Sequence, residues 1–258
     1  MSSKLNQFRE LHRSGDLLIL PNAWDAKSAS LFQQHKFSAI GTSSAAVAGS
    51  LGYEDGEQME FNDYLFVIRR IMSVVQIPVS VDIEMGYGTS DEQILQNIVK
   101  LIELGVVGIN IEDSMINKSG RVLKDAGTFA KTIEYVKSQL TARSMDVFIN
   151  IRCDTYILDV PGKNTETIDR LKIYGNTGAD GIFLPCISTQ ADIKEAVDAT
   201  RLPVNVMCVP GLPGFGTLSQ LGVRRVSMGP FFFNKIYGNI GKLTDAVNTE
   251  QNFAPVLP

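Results

Sequence analysis

Short runs rich in β-branched residues recur along the whole chain, at 17–20, 38–42, 78–83, 107–111, 147–151, 181–184, 203–207 and 225–228. Helical patterning fills most of the gaps. Segment 61–75 places Leu65, Ile68, Ile71, Met72 and Val75 on one face, and 91–104 does the same with Ile94, Leu95, Ile98, Leu101 and Ile102. Segments 126–140 and 165–174 behave alike. Ser90 ahead of Asp91 and Glu92 predicts an N-cap, and Gly105 a C′ glycine. Eight strand–helix units of about 30 residues each predict a (β/α)8 TIM barrel, with an open doubly wound sheet as the alternative. With no composition break in 258 residues, one domain spanning 1–258 is expected, ending in a helix and tail over 230–258. The Gly/Pro-rich stretch 209–216 reads as the loop after the seventh strand, a Pro/Gly turn in preference to a phosphate-binding loop.

Strand residues two apart share a face. On the third run Ser80, Asp82 and Glu84 oppose Val81 and Ile83; on the fourth, Asn110 and Glu112 oppose Ile109 and Ile111; on the fifth, Asn150 and Arg152 oppose Ile149 and Ile151. Asn205 falls between Val204 and Val206 on the seventh. Branched faces toward the helices leave the polar ones inside the barrel. A polar layer of Ser80, Asn110, Asn150 and Asn205 is then expected beneath a charged layer of Asp82, Glu84, Glu112 and Arg152. Strands that deliver charge to their C-terminal ends describe an active-site mouth.

Two carboxylates ~4 Å apart repel by about 4 kcal/mol at an effective dielectric near 20. Arg152 cannot neutralise three acids, so a divalent cation is expected there, against the plainer reading of ion pairs with Arg152 and Lys118. Hard oxygen donors without clustered His or Cys favour Mg²⁺, with Mn²⁺ as substitute. Composition excludes other classes. The net charge is −4 with no basic run, which argues against nucleic acid or an anionic membrane as partner. No uncharged apolar stretch reaches membrane-spanning length, and the first residues show no secretory signal. Cys153, Cys186 and Cys208 include no CxxC and read as free thiols, so a cytoplasmic location is expected. Only His12 and His35 are present, which disfavours histidine-based zinc or a Ser-His-Asp triad. Asp25 is expected to cap a helix and Trp24 to pack beside it.

Asp82-Ile83-Glu84 followed by Gly86-Tyr87-Gly88 resembles the signature of the isocitrate lyase/phosphoenolpyruvate mutase superfamily. Glu112-Asp113 is similar to its strand-4 acid pair, Arg152 to its strand-5 arginine, and Gly41-Thr42-Ser43-Ser44 to its substrate-carboxylate segment. Leu51-Gly52-Tyr53-Glu54-Asp55-Gly56 resembles the loop that carries an outer metal ligand. The resemblance implies an enzyme binding Mg²⁺ and a small 2-oxo acid. Asp82 would ligate the metal directly, and Asp55, Glu84 and Glu112 through water. Thr42, Ser43, Ser44, Arg152 and Asn205 would bind substrate, and Arg152, Lys118 and Glu112 would serve catalysis. A homodimer or homotetramer through the last helix is also implied.

The chain departs from the family in one loop. Isocitrate and methylisocitrate lyases carry Lys-Lys-Cys-Gly-His after the strand-4 acids, whereas 114–121 here reads Ser-Met-Ile-Asn-Lys-Ser-Gly-Arg. Lys118 matches a gating-loop lysine of the phosphonopyruvate branch. The expected activity is cleavage of a C–C bond by a lyase or decarboxylase. The alternatives are a phosphonopyruvate-type P–C mutase or hydrolase, and a non-catalytic oxo-acid-binding protein.

Overall fold

The computed structural model describes residues 3–118 and 120–258. In chain order the elements are α1 (Ser3–Leu11), β1 (Leu18–Leu20), β2 (Asn22–Ala23), α2 (Ala26–Gln34), β3 (Ile40–Thr42), α3 (Ser44–Leu51), α4 (Phe61–Met72), β4 (Val79–Asp82), α5 (Asp91–Glu103) and β5 (Gly108–Glu112). There follow β6 (Ser114–Asn117), β7 (Gly120–Leu123), α6 (Ala126–Ala142), β8 (Phe148–Arg152), α7 (Lys163–Tyr174), β9 (Gly181–Leu184), α8 (Gln190–Asp198), β10 (Val204–Met207), α9 (Phe215–Gln220), β11 (Arg225–Ser227) and α10 (Phe231–Glu250). A short 3₁₀ turn, Ala254–Val256, ends the chain.

All eight expected runs form strands, joined in parallel in the order β1-β11-β10-β9-β8-β5-β4-β3-β2. Pro21 explains how this sheet becomes a barrel. It splits the first strand, so that Leu18–Leu20 pairs with Arg225–Ser227 while Asn22 and Ala23 pair with Gly41 and Thr42. One interrupted strand thus joins both ends of the sheet. The alternating units of strand and helix are those of an α/β TIM barrel.

Local chemistry sets the helices. In α5, Ser90 accepts from the Gln93 amide at 3.3 Å, Asp91 and Glu92 complement the first turn, and Gly105 (φ +92°) follows the C-cap. Its buried face is Ile94, Leu95, Ile98 and Leu101. Each such side chain contributes about 1.5–3 kcal/mol on burial. The core lies between the outward strand faces (Val81, Ile109, Ile111, Ile149, Ile151, Ile182 and Val206) and the helices. A second cluster seals the N-terminal end of the barrel, where Leu5 and Phe8 of α1 pack on Leu18, Leu20, Ala39, Val107 and Phe148.

Inside the barrel runs the expected polar layer. Asn205 Nδ2 donates to Asn150 Oδ1 at 2.6 Å, and Asn150 Nδ2 to Asn110 Oδ1 at 2.9 Å. Gly181 is needed beside it, since a Cβ there would sit 2.8 Å from Asn150 Oδ1. Arg225, fully buried, donates from Nη2 to Asn110 Oδ1 at 3.0 Å. Burial pushes its guanidinium down to about 9, opposed by the charge of Asp82.

Two elements differ from the sequence reading. Segment 114–121, expected as a loop, is most of an antiparallel hairpin, β6 with β7, whose register sets Ile116 opposite Arg121. Residue 119, within that expected loop, lies outside the described residues. The expected 209–216 loop is shorter, because Phe215 and Gly216 already belong to α9. The last helix, α10, has no buried residue along its 20 positions. Among the described residues no helix is long and apolar enough to cross a membrane.

Candidate active site

Asp82, Glu112 and Arg152 occupy the C-terminal ends of β4, β5 and β8, with Glu112 directly opposite Arg152 across the ladder. Arg152 Nη1 lies 2.9 Å from Glu112 Oε2 and 3.8 Å from Asp82 Oδ2, and its Nε donates to Asp154 Oδ1 at 2.7 Å. Burial alone would lower the guanidinium pKa. Asp154 and Asp82 outweigh it and hold the group above its usual value.

Glu84 arrives by a different route from the one strand alternation implies. β4 ends at Asp82, and Glu84 (φ 48°), Gly86 (φ 110°) and Tyr87 (φ 54°) then adopt left-handed backbone. For the two non-glycine residues such geometry costs on the order of 1–3 kcal/mol each and persists only when the surroundings fix it. Here the Glu57 amide donates to Glu84 Oε2 at 2.9 Å, and Tyr87 Oη to Glu84 Oε1 at 2.9 Å. The Tyr87 ring also packs on Phe61 and Tyr64. Burial, reinforced by Asp55 and Asp82, pushes the Glu84 carboxyl up to about 7. Burial likewise raises Asp82, against the pull of Arg152.

On the facing side, Ser43 caps α3 by accepting from the Ala46 amide at 3.3 Å. The amides of Ser44 and Ala45 open the first turn, where N–H groups have no partner within the helix and favour an anion. Thr42 Oγ1 bonds Tyr64 Oη at 2.8 Å and accepts from the Asp82 amide at 3.1 Å. Ser44 Oγ donates to Asp82 Oδ2 at 3.4 Å. Thr42, Ser43, Ser44, Asp55, Asp82 and Arg152 line one cavity of about 170 Å³.

Two expected acids, Glu84 and Glu112, stand beside that cavity rather than in its wall, and two further expected residues fall elsewhere. Asn205 does not line that cavity, because it sits mid-strand and its amide is used below, on Asn150. Lys118 stands exposed in the turn of the hairpin. The hairpin cation that reaches the acids is Arg121, which pairs with Glu112 and lies 3.9 Å from both Glu84 Oε2 and Asp154 Oδ2. Neither Arg121 nor Asp154 was picked out in the sequence. Asp154 follows Arg152 by two positions, which is the same alternation continued past the strand end. Ser114, fully buried, bridges Glu112 Oε1 (3.0 Å) and Asp154 Oδ2 (2.7 Å). Asp113, beside Glu112 in sequence, turns away to Arg170 (3.0 Å) and Tyr174 (2.7 Å) and is structural.

The donor set fits a hydrated hard cation. Asp55, Asp82, Glu84, Glu112 and Asp154 gather around two guanidiniums, and Glu112 Oε2 is buried without a hydrogen-bond partner despite its nearness to Arg152. Among the described residues no three Asp, Glu, His or Cys side chains converge as direct ligands of one ion. Mg²⁺ typically takes one or two carboxylates and keeps several waters.

The family model for phosphoenolpyruvate phosphomutase matches residues 8–248. The chain belongs to that family, within the isocitrate lyase/phosphoenolpyruvate mutase superfamily. It is 37% identical to an uncharacterised protein of Mycobacterium tuberculosis (strain H37Rv) over 86% of this chain and 81% of the relative. Oxaloacetate decarboxylase 1 of Pseudomonas fluorescens (strain Pf0-1) is 29% identical over 84% of this chain and 75% of its own. The solved structure of a phosphonopyruvate hydrolase in complex with oxalate and Mg²⁺ superposes with a TM-score of 0.86 at 22% identity, covering 100% of this chain and 91% of that one. That last likeness speaks to the fold. Family membership makes this chain an enzyme of the lyase and mutase type.

Proposed function

We propose that the chain is a Mg²⁺-dependent lyase that cleaves a C–C bond next to the carbonyl of a small 2-oxo acid. The observation that carries this reading is the excess of buried carboxylate facing a helix N-terminus and Arg152 across a cavity sized for a small acid. Asp82 would hold Mg²⁺ (or Mn²⁺) directly, with Asp55, Glu84 and Glu112 through its waters. When bound, the metal supplies Lewis-acid polarisation of the 2-oxo carbonyl. The substrate carboxylate meets the amides of Ser44 and Ala45, and Arg152 supplies a two-pronged contact for a second anionic group. Arg121, carried by the hairpin, adds positive charge where negative charge develops on bond cleavage. The relative that decarboxylates oxaloacetate favours C–C over P–C chemistry.

The test is an NMR turnover screen with Mg²⁺ against oxaloacetate, phosphonopyruvate and methylisocitrate, with Asp82→Ala as control. Turnover of a C–C substrate that vanishes in Asp82→Ala is expected. Undiminished turnover in the variant would refute the metal mechanism, and oxalate binding without turnover of any acid would show a binding protein instead.

The same reading includes a homodimer or homotetramer through α10. Phe231, Phe232, Ile236, Tyr237, Ile240 and Leu243 are each 40–49% exposed along it, an apolar stripe that a second copy would cover. Light scattering should give at least twice the monomer mass, and a monomer at micromolar concentration would remove this assignment.

A further inference from the structure

The opposite end of the barrel carries charge of the other sign. A cavity of about 470 Å³ opens beside α1 and beneath the N-terminal ends of the strands, and Arg9, Arg13, Arg201 and Arg224 line it against one carboxylate, Asp180. In a chain of net charge −4 this concentration of arginine is unexpected. Arg9 is already committed, to Asp146 at 2.7 Å and Asp180 at 2.9 Å, and Lys137 holds the other oxygen of Asp180 at 2.6 Å. Arg224 donates from Nη1 to the Gly15 carbonyl at 3.0 Å, which leaves its charge uncompensated. Arg13 and Arg201 are exposed and ion-paired to nothing among the described residues.

A plainer role for these arginines is to answer helix C-termini, since α1 and α8 end beside the cavity. Each terminus carries roughly half a negative charge. Two of them offset about one guanidinium, and three are unpaired.

A second observation lies in the wall. His12 is 1% exposed and lines the cavity, with Nδ1 on the Phe8 carbonyl at 2.8 Å and Nε2 without a partner. The bond to a carbonyl puts the proton on Nδ1, so Nε2 is a bare acceptor. An unpaired buried acceptor costs about 1–3 kcal/mol. The cavity therefore holds unpaired cations for an anion, and a residue of its wall carries a buried acceptor without a partner.

We propose that this cavity binds a phosphate monoester carrying a free hydroxyl. Arg13, Arg201 and Arg224 hold the phosphate oxygens and His12 Nε2 accepts from the hydroxyl. The planar fork of arginine matches phosphate oxygens pairwise, and the volume falls within the range usual for small-ligand sites. The site is separate from the acidic mouth and does not depend on the reaction performed there.

The experiment is calorimetric titration of the full chain with the mouth saturated by Mg²⁺ and oxalate, using ribose 5-phosphate, inorganic phosphate, and sulfate at matched ionic strength. Saturable binding of ribose 5-phosphate is expected, at least tenfold weaker in Arg13→Gln/Arg201→Gln, whose exposed positions leave folding intact. His12→Asn should weaken the ester several-fold while leaving inorganic phosphate unchanged. Three results would overturn the proposal: no saturable binding of the ester, binding unchanged in the double arginine variant, or sulfate binding equally well. Equal affinity for inorganic phosphate and the ester would refute the hydroxyl contact and with it the assigned ligand class.

Discussion

His12 should make the fold acid-sensitive in a way that one substitution can isolate. Burial first, then the nearby charge of Arg225, lowers its pKa to about 3. In the unfolded chain it titrates near ~6.5. Between those values the unfolded state binds the extra proton, so stability is complete above pH ~6.5 and is lost as pH falls toward 3. Moving from pH 7 to pH 5 then removes about 2 kcal/mol, and the whole window about 5 kcal/mol. Glu84 works in the opposite sense. Its folded pKa of about 7 lies above the unfolded value, so its ionisation destabilises the fold at neutral pH. Acidification to pH 5 relieves roughly 2 kcal/mol of that. The protein as a whole can therefore look indifferent to pH while two large effects cancel. His12→Asn separates them, because a side-chain amide keeps the donor to the Phe8 carbonyl and cannot titrate. Urea unfolding of both proteins at pH 7 and pH 5 is the assay. Whatever packing the variant loses against Phe148 is common to both pH values. The variant should gain about 2 kcal/mol relative to wild type on acidification. A relative change below about 0.5 kcal/mol at equal m-values would refute the buried, neutral His12.

Other outcomes follow from single contacts. Arg121→Ala should lower turnover by at least tenfold with an unchanged circular dichroism spectrum, whereas Lys118→Ala should cost under threefold; steady-state kinetics on the substrate found by the screen decide it. Asp113→Asn should destabilise the fold by about 1.5–3 kcal/mol in urea, because Arg170 and Tyr174 lose a buried charged acceptor while Arg170 keeps Glu166. Arg225→Met should leave stability unchanged or raise it by about 1–4 kcal/mol and lower the Mg²⁺-dependent rate, since it removes the positive charge beneath Asp82; an unchanged rate would make Arg225 purely structural.

The eight strands and the main helices were legible because their periods, 2 and 3.6, are written in branched apolar residues whose alternative positions would expose them to water. A closed barrel was expected, but not the way it closes, since the split at Pro21 changes only which neighbour each half pairs with. Asn205 shows where alternation stops being enough. It gives the face correctly, inward, but not the depth along the barrel, and depth separates a cavity wall from the layer beneath. Lys118 and Arg121 show the limit of matching by position. Across the hairpin, Ile116 faces Arg121 and Asn117 faces Gly120, which leaves Lys118 in the turn. Met115 and Ile116 are each 42% exposed, so no buried face marked the hairpin in the sequence. Arg225 could have been read, because in the pair Arg224-Arg225 alternation must send one guanidinium outward and the other into the barrel.

The inward polar residues form one column, and the column accounts for the chain's departure from an apolar barrel interior. A fully buried arginine with unpartnered Nε and Nη1 is costly, and branched apolar side chains would pack the same space more stably. What it supplies is a fixed positive charge that raises no steric barrier at the mouth. Asp82 must be ionised to hold a cation, yet burial and Asp55 push it toward protonation, and Arg152 is shared with Glu112 and Asp154. Arg225 acts on Asp82 from below, leaving the mouth face of that carboxylate free. Asn110 fixes the guanidinium without neutralising it, and a carboxylate in its place would cancel the charge. An acidic mouth then sits above a neutral amide layer and a buried guanidinium, whose charge acts on Asp82 without a side chain entering the cavity.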